Sequence, residues 1–371
     1  MPNQSFPSPR PSGFTLVEIM LSVAIIALIL LILVSIVSQT AQTWRYTTGK
    51  VEQFREARTA FERMTVRLSQ ATLNTYWDYD NPASPKRYER RSELRYINGL
   101  ANGTSEKLVG NLPSKDRYTH CVFFHAPLGL VADTSAKGYR GLENLLNVWG
   151  YYVELGTDVD YRAAFLSQLP ARKRFRLMEL MQPSEEMGTY QFTSGLDTKV
   201  PPGPKSESYT LPSWFAGPVN KNYTGIISPI RPLADNIVAL IILPQLSKQD
   251  VKTTGGNSTD LAPSYSYDST KKSTNKVLNP KNQLPPLIQI TMVAIDEVSA
   301  SRLNPADLAT PLARFTKSAD FDKDLKLDPS RQENDSLENK LAGKTVRASY
   351  RVFTTNVPIR AAKWSRSQSD N

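Results

Sequence analysis

One carboxylate lies in an otherwise apolar segment near the start of the chain. Residues 14–37 read FTLVEIMLSVAIIALILLILVSIV, and Glu18 is their only charged side chain. At about 1.5 Å of rise per residue, a helix of this length spans about 36 Å, enough to cross a hydrocarbon core of about 30 Å. A carboxylate inside such a span costs about 2.5–3.5 kcal/mol or more. Glu18 therefore requires a partner, and a nearby cation would offset its desolvation.

Two ordinary explanations of this apolar segment are incomplete. A secretory signal has an apolar stretch of about 7–15 residues followed by a small-residue cleavage site. The present stretch is longer, and 38–41 (SQTA) matches such a site poorly. A plain membrane anchor fits the length but gives no reason for Glu18. The plain anchor remains the alternative to a processed N-terminus.

The hexapeptide 13–18 (GFTLVE) resembles the processing site of type IV prepilins and type II secretion pseudopilins. The resemblance implies that a prepilin peptidase and methyltransferase, a membrane aspartyl enzyme, cuts after Gly13 and N-methylates the new first residue, Phe14. Glu18 then stands at the fifth mature position, where that family has glutamate. Cleavage creates a cationic amine on Phe14, about one helical turn from Glu18. We expect these two charges to form an assembly pair, within one subunit or between neighbours.

The helical pattern continues beyond the apolar segment. Seven apolar residues recur at intervals of three and four, which predicts one face of an amphipathic helix: Val51, Phe54, Ala57, Phe61, Met64, Leu68 and Ala71. Because such a stripe needs a surface to cover it, we expect it to pack on a sheet that includes 237–243. The predicted fold class is α+β and pilin-like, with a long N-terminal transmembrane and amphipathic helix packed on an antiparallel β-sheet head.

These features divide the chain into five predicted parts. They are a cleaved leader (1–13), a transmembrane helix (14–38), an amphipathic continuation (39–73), a globular head (74–363) and a polar tail (364–371). The charges flanking the span do not set its orientation, because more basic residues follow it than precede it. The resemblance implies a single pass through the inner (cytoplasmic) membrane, with the head in the periplasm.

The sequence pattern of the head is rich in candidate strands. Seven segments are predicted strands: 94–97, 118–125, 149–155, 175–181, 237–243, 287–295 and 346–354. The continuous apolar run 237–243 (IVALIIL) predicts a central strand buried on both faces. Asn304 and Pro305 predict the start of a helix. Two polar segments, near 201–236 and 247–286, are predicted to be long loops.

Parts of the head resemble two more specific families. The order of a late apolar strand, the segment LPPLIQITMVAIDE and a terminal strand is similar to minor pseudopilin J of type II secretion. Four segments resemble the Verru_Chthon cassette protein C family of prepilin-like proteins: 150–154 (GYYVE), 174–180 (RFRLMEL), 232–236 (PLADN) and 284–287 (LPPL). This resemblance leaves the function of the head open.

The remaining reactive side chains do not form a catalytic pattern. His120, Cys121 and His125 are close in sequence, but alternation along a strand places the two histidines on opposite faces, which opposes a shared metal. The segment 320–331 begins like a calcium loop with three alternating aspartates, but it lacks the loop's glycine and final glutamate. We therefore predict no catalytic residue, no metal site and no cofactor, and a structural role instead of an enzyme.

The chain carries a formal net charge of +10, and its basic residues are dispersed. The densest cluster is 172–174 (RKR). A solvated surface explains this excess as well as an anionic partner does. The expected partners are the prepilin peptidase, other pilins or pseudopilins, and inner-membrane lipid; nucleic acid is not expected. The alternative function is a membrane-anchored, extracytoplasmic binding module for a ligand or DNA.

Overall fold

The computed structural model describes most of the chain after the leader. The described residues are 15–81, 83–101, 108, 116–131, 144–161, 164–166, 168–184, 187, 215, 219, 229–273, 278–327, 336–343 and 346–364, without the side chains of 45, 46 and 164. The chain divides into two compact units, Met1–Glu52 and Gln53–Asn371.

The first unit holds the apolar part of helix α1 (Leu16–Leu68). Its most apolar window of 18 residues has a mean hydropathy of 3.2 and no buried residue, and it is the one described helix that is long and apolar enough to span a membrane. Leucine, isoleucine and valine side chains cover all sides of this part of the helix and are exposed. Such a surface suits a lipid environment, because water would solvate it poorly.

The second unit contains two antiparallel sheets and a separate hairpin. The six-stranded sheet has the order β7-β6-β5-β4-β3-β9, the three-stranded sheet has the order β11-β10-β8, and β1 pairs with β2. The strand bounds are β1 (Tyr76–Tyr79), β2 (Tyr88–Arg91), β3 (Ile97–Leu100), β4 (Asp116–Pro127), β5 (Leu146–Thr157), β6 (Lys173–Gln182), β7 (Ile230–Asp235), β8 (Ile237–Gln245), β9 (Tyr267–Asp268), β10 (Leu287–Ile295) and β11 (Tyr350–Pro358).

In the described part of the head, five short helices connect these strands. They are α2 (Lys248–Thr254), α3 (Glu297–Arg302), α4 (Ala306–Ala313), α5 (Phe321–Leu325) and α6 (Leu337–Ala342). The predicted helix start at Asn304 is confirmed, because its Oδ1 atom accepts a hydrogen bond of 3.2 Å from Ala306 N, the first residue of α4. The long helix and the antiparallel sheets together confirm the predicted α+β, pilin-like class.

The amphipathic end of α1 packs on the head as predicted. Ala57, Phe61, Met64 and Leu68 are buried in one apolar cluster with residues of both sheets, including β8. The Phe61 and Phe353 rings, the latter on β11, have centroids 5.8 Å apart. The predicted stripe is nevertheless too long at its start, since Val51 is exposed. The helix ends at Leu68, before the predicted position 73, and Thr72 N then donates to His125 O of β4 at 2.8 Å, where it forms an isolated bridge.

Five of the seven predicted strands are confirmed, and two are displaced. The segment 94–97 precedes β3, since Tyr96 N bonds to the Ser269 side chain (2.9 Å) and does not join a strand ladder. The segment 346–354 begins too early, because Arg347 has a positive φ of 44° and Ala348 N bonds to Leu341 O, so β11 starts at Tyr350.

Two segments predicted as loops contain regular structure. In 201–236, residues 230–235 form the edge strand β7, although Pro232 obscures its strand pattern. Proline is tolerated there because an edge strand has one side without ladder hydrogen bonds. The rest of that segment lies outside the described residues, except 215, 219, 229 and 236. Within 247–286 the described residues include α2, a 3₁₀ turn at Ser258–Leu261 and the short strand β9.

The apolar strand β8 is buried on both faces but lies at the end of its sheet. Its residues Ile237–Leu243 are all at most 2% exposed, as predicted. The prediction of a central strand is wrong, because among the described residues β8 forms a backbone ladder only with β10. Its other edge meets a bulge in β4, where the register shifts between Tyr118 and Cys121 and Thr119 has a φ of 56°. Side chains from that bulge take the place of a neighbouring strand.

Candidate processing and assembly site

The start of α1 forms a reciprocal cap around Glu18. Thr15 N and Thr15 Oγ1 both donate to Glu18 Oε2 at 2.9 Å, and Glu18 N donates to Thr15 Oγ1 at 3.3 Å. This is a capping box, in which a threonine and a glutamate three residues later satisfy each other's backbone donors. The sequence signal for this cap is the pattern T-x-x-E at 15–18, which is separate from the processing motif that predicts a role for Glu18.

The cap gives Glu18 a local role that exists before any processing. It satisfies two donors at the helix start with one carboxylate oxygen and places a negative charge in the first turn, where the helix dipole favours it. Gly13 and Phe14 lie outside the described residues, so the predicted Phe14–Glu18 charge pair remains a prediction. Thr15 N, which follows Phe14 directly in the chain, already bonds to Glu18. A charged amine one residue earlier would therefore be created close to this carboxylate.

The surroundings of Glu18 are apolar and exposed. Leu16, Val17 and Ile19 are each more than half exposed, and Ser22 Oγ is the next hydroxyl along the helix, where it bonds to Glu18 O at 2.7 Å. In the described part of this helix, Thr15 N and Thr15 Oγ1 already bond to the Glu18 carboxylate, so a cation brought to it in a membrane would compete with these two hydrogen bonds. The site suits recognition of an amine by a carboxylate in a medium of low dielectric constant.

The two histidines of β4 are structural. His120 Nδ1 accepts a hydrogen bond of 3.0 Å from Ile242 N, so its Nε2 atom carries the proton and donates to Phe315 O at 2.9 Å. His125 Nδ1 lies 3.2 Å from Arg95 O. Burial lowers the pKa of His120 to about 4 and that of His125 to about 3. Both rings are therefore neutral at ordinary pH, and each bonds to the protein backbone.

Cys121 and the aspartates near 320 do not form a reactive site in the described residues. Cys121 is fully buried, its Sγ lies 3.7 Å from Gly99 O, and burial raises the pKa of its thiol. The segment that begins like a calcium loop forms, in its described part, the end of a 3₁₀ turn and helix α5, and Asp322 pairs with Lys326 at 2.8 Å. The described residues contain no cluster of metal-ligating side chains.

The basic cluster 172–174 borders a cleft of about 520 Å³ at the start of β6. Arg174 bonds through both terminal nitrogens to the Glu297 carboxylate, and Lys173 Nζ lies 3.9 Å from Asp116. Glu297 also accepts a hydrogen bond from Asn236 Nδ2 at 2.9 Å. Most of the positive charge of this cluster is therefore balanced within the head.

Comparison with known proteins places the N-terminus in a defined class. Residues 9–34 match the prokaryotic N-terminal methylation motif. No curated protein and no solved structure matches the chain. The N-terminus therefore carries a prepilin-type methylation motif, and the helix that follows is long and apolar enough to span a membrane. The motif implies processing by a prepilin peptidase and assembly with other pilins, and it indicates a structural substrate of that peptidase instead of an enzyme.

Proposed function

We propose that this protein is cut after Gly13, methylated on the Phe14 amine, and assembled as a minor subunit into a pilus or a type II secretion-like pseudopilus. It resides before assembly in the inner membrane, with a periplasmic head. The observation that carries the proposal is the match of residues 9–34 to the methylation motif, with Glu18 at the fifth mature position.

Two structural features support the proposal. The apolar part of α1 has no buried residue in its most apolar window, so it offers a free surface to lipid or to the helices of other subunits. The second unit is a large α+β head of more than 300 residues, which would crowd a densely repeating filament. A bulky head therefore favours a minor or terminal position. The finer assignments, to minor pseudopilin J or to the Verru_Chthon cassette protein C family, remain predictions from the sequence resemblance.

The proposed role of Glu18 is to recognise an N-terminal amine. In the precursor its carboxylate bonds to Thr15, and after cleavage the methylated amine of Phe14 competes for the same carboxylate. A charge pair in a membrane offsets the desolvation of both groups. Pairing between subunits would fix the axial position of one helix against the next.

Processing is tested by the mass of the protein purified from a host with an active prepilin peptidase. We expect a mature chain that begins at methylated Phe14. Replacing Gly13 with leucine should leave the precursor uncut, because the peptidase acts at that residue, whereas Ser8→Leu in the leader should be processed normally. A protein that starts at Met1, or one cut near residue 41, would contradict the proposal.

Assembly is tested separately at Glu18. Glu18→Val should insert in the membrane at least as well as the wild type, because it removes an intramembrane charge. The variant should also be cleaved. At matched levels in the membrane, however, fewer partner pilins or pseudopilins should co-purify with it than with the wild type. Ser22→Val, one turn further along the same helix, is the matched control and should recover the wild-type amount. Equal recovery with Glu18→Val would remove the assembly role.

A membrane-anchored binding module is the second candidate, and the cleft beside Arg172–Arg174 is the observation that favours it. The Arg172 side chain is exposed at the rim of this cleft, and Leu155 and Phe175 provide apolar lining. Binding of DNA there should weaken steeply as salt rises, because counterions compete for the phosphates. Assembly through apolar helices should not weaken as salt rises. A salt titration of purified protein with a short duplex distinguishes the two.

A further inference from the structure

The loop between β5 and β6 (158–172) exposes large apolar side chains. Of all such side chains in the described part of the chain, Phe165 is the most exposed, at 82%. Val159 and Leu169, in the same loop, are each more than half exposed. Apolar side chains grouped on a surface in this way mark a site of contact with a membrane or another protein.

The loop is held in this form by hydrogen bonds of its own. Arg172 N donates to Asp158 Oδ1 at 3.0 Å, which closes the base of the loop. Leu169 N donates to Leu166 O at 3.1 Å, and Phe165 lies in a 3₁₀ turn. Phe165 belongs to neither apolar cluster of the described head. The backbone therefore presents these apolar side chains outward as a fixed feature of the fold.

Two contacts of β6 show at which end of the head the loop lies. Glu179 of β6 lies against Arg67, near the end of α1. Arg174, at the start of β6, bonds to the Glu297 carboxylate, and Glu297 N donates to the Gln53 side chain at 2.6 Å. Gln53 is the first residue of the second unit. The start of β6, and the loop that precedes it, therefore lie at the end of the head that α1 enters.

This end of the head is the one that the chain connects to the apolar segment. Along the chain, 15 residues (38–52) join the end of that segment to Gln53. When the apolar segment is in a bilayer, this connection makes any contact between the loop and the bilayer intramolecular. A few side chains are then enough to populate a contact that would be weak between separate molecules.

The charges of the loop complement an anionic surface. Residues 158–174, the loop and the first two residues of β6, include four basic and two acidic side chains. Arg172 is exposed, and the contact of Lys173 with Asp116, at 3.9 Å, is exposed on both sides and therefore weak. Cations beside exposed apolar side chains suit a bilayer interface, because the cations stay at the phosphates while the apolar groups leave water.

We propose that the β5–β6 loop docks the head on the periplasmic leaflet of the membrane that holds α1. Phe165 and Leu169 enter the interfacial region of the bilayer. Arg172 and Lys173 lie at the phosphates of anionic lipids, which attract basic side chains near the surface. This inference rests on the membrane residence in the proposed function, but not on cleavage or on the N-terminal charge pair. Assembly into a filament then requires the head to leave the bilayer surface.

The contact is measured on the uncut full-length chain in vesicles of phosphatidylcholine and phosphatidylglycerol, with vesicles of phosphatidylcholine alone for comparison. A polarity-sensitive fluorophore is attached at Gln168→Cys, an exposed position between the proposed contact residues. Its quenching by lipid that carries a nitroxide at the headgroup reports contact with the bilayer. The parent chain is the labelling blank, because its one cysteine, Cys121, is buried.

The control position is Ser84→Cys, in the exposed turn between β1 and β2. Arg90 of the same hairpin donates to Lys363 O at 3.2 Å, and Arg360 N donates to Ser69 O at 3.0 Å, just after the end of α1. This hairpin is therefore near the other end of the part of α1 that packs on the head. A fluorophore there should remain in water.

In the mixed vesicles, quenching of the Gln168→Cys fluorophore should be at least about twofold greater than at Ser84→Cys. Phe165→Ser and Arg172→Glu should each reduce this excess by at least about half, and so should omission of the anionic lipid. Both replaced side chains are exposed, so these variants should fold normally. Lys86→Glu, in the exposed turn of the control hairpin, should leave the quenching unchanged.

Flotation of the vesicles separates failure of this proposal from failure of the anchor. Equal quenching at the two positions, in protein that floats with the vesicles, overturns the docking and leaves the anchor intact. A chain that does not float overturns both. Emission that changes with the number of protein molecules per vesicle, and not with the lipid, means that a second copy covers the loop, and the docking is then wrong. It is also wrong if Phe165→Ser and Arg172→Glu leave the quenching unchanged.

Discussion

The Arg67 guanidinium of α1 lies against the Glu179 carboxylate of β6, which is fully buried. Tyr151 donates to Glu179 Oε1 at 3.0 Å, and Arg231 of β7 donates to Oε2 at 2.7 Å. The Arg67 guanidinium also lies 3.9 Å above the centre of the Trp149 ring. Glu179 is therefore the point at which the long helix, the interior of the six-stranded sheet and its edge strand are held together by charge.

Loss of Arg67 should destabilise the head strongly. Arg67→Ala leaves a buried carboxylate with one fewer cation and removes the packing on Trp149, so we expect a loss of about 3 kcal/mol in the free energy of unfolding. The control is Arg58→Ala on the same helix. Its pair with Glu62 is exposed on both sides, so the change should cost at most about 0.5 kcal/mol. Chemical denaturation followed by near-UV circular dichroism measures both, and equal losses would contradict the role of Glu179.

The stability of the head should decrease below about pH 6.5. His120 is neutral in the folded protein with a pKa of about 4, whereas an unfolded histidine titrates near 6.5. Between these values the unfolded chain binds the extra proton, so acid favours unfolding by about 1.4 kcal/mol per pH unit for each such histidine. His125 acts in the same direction, since burial lowers its pKa to about 3.

The contribution of His120 is isolated by comparing pH dependence. His120→Phe should be less stable than the wild type at pH 7, because Ile242 N loses its acceptor. Its unfolding free energy should nevertheless depend less steeply on pH between 6.5 and 5. The slope should be smaller by about 1.4 kcal/mol per pH unit, because the variant binds one proton fewer on unfolding. Parallel curves for the two proteins would show that His120 is not buried neutral.

Phe61 should contribute more to stability than Phe54. Phe61 is 7% exposed and its ring packs on Phe353, so Phe61→Ala should cost about 3–5 kcal/mol. Phe54 is half-buried under the Arg351 guanidinium, 5.4 Å from its ring centre, so Phe54→Ala should cost about half as much. Val66→Ala, on the exposed side of the same helix, should have a small effect. Thermal unfolding of the three variants gives the order.

Two glycines should respond oppositely to alanine. A Cβ atom at Gly150 in β5 would lie 2.2 Å from the Phe123 ring, which is fully buried and stacked on Phe215. Gly150→Ala should therefore cost about 1–3 kcal/mol through overpacking. At Gly49 in α1 a Cβ atom meets nothing within 4 Å, so Gly49→Ala should not destabilise and should favour the helix by about 1 kcal/mol. Unfolding midpoints of the two variants test this contrast.

Much of the fold could be predicted from local patterns. The apolar segment and the stripe that ends at Ala71 indicate α1, and the run 237–243 indicates a buried strand, because burial requires apolar side chains at regular positions. Edge strands are harder to recognise. β7 was missed since Pro232 resembles a loop signal, and the edge position of β8 depends on a bulge in a strand far away in sequence.

The polar contacts of the head could not be predicted. Arg67 and Glu179 are 112 residues apart, and nothing in the sequence distinguishes their pairing from that of other arginines and glutamates. By contrast, the cap formed by Thr15 and Glu18 is readable from residues three positions apart. Gly13 and Phe14 were recognised from the motif, and their structure lies outside the described residues.

The bond from Thr72 N to His125 O has a mechanical consequence. Thr72 follows the end of α1 by four residues, and His125 belongs to β4, a strand with neighbours on both sides in the six-stranded sheet. Tension applied along the end of α1 is passed on through this bond to β4, whose ladders to β3 and β5 hold it in the sheet. A pull on that end of the helix is thereby shared by the hydrogen bonds of these ladders.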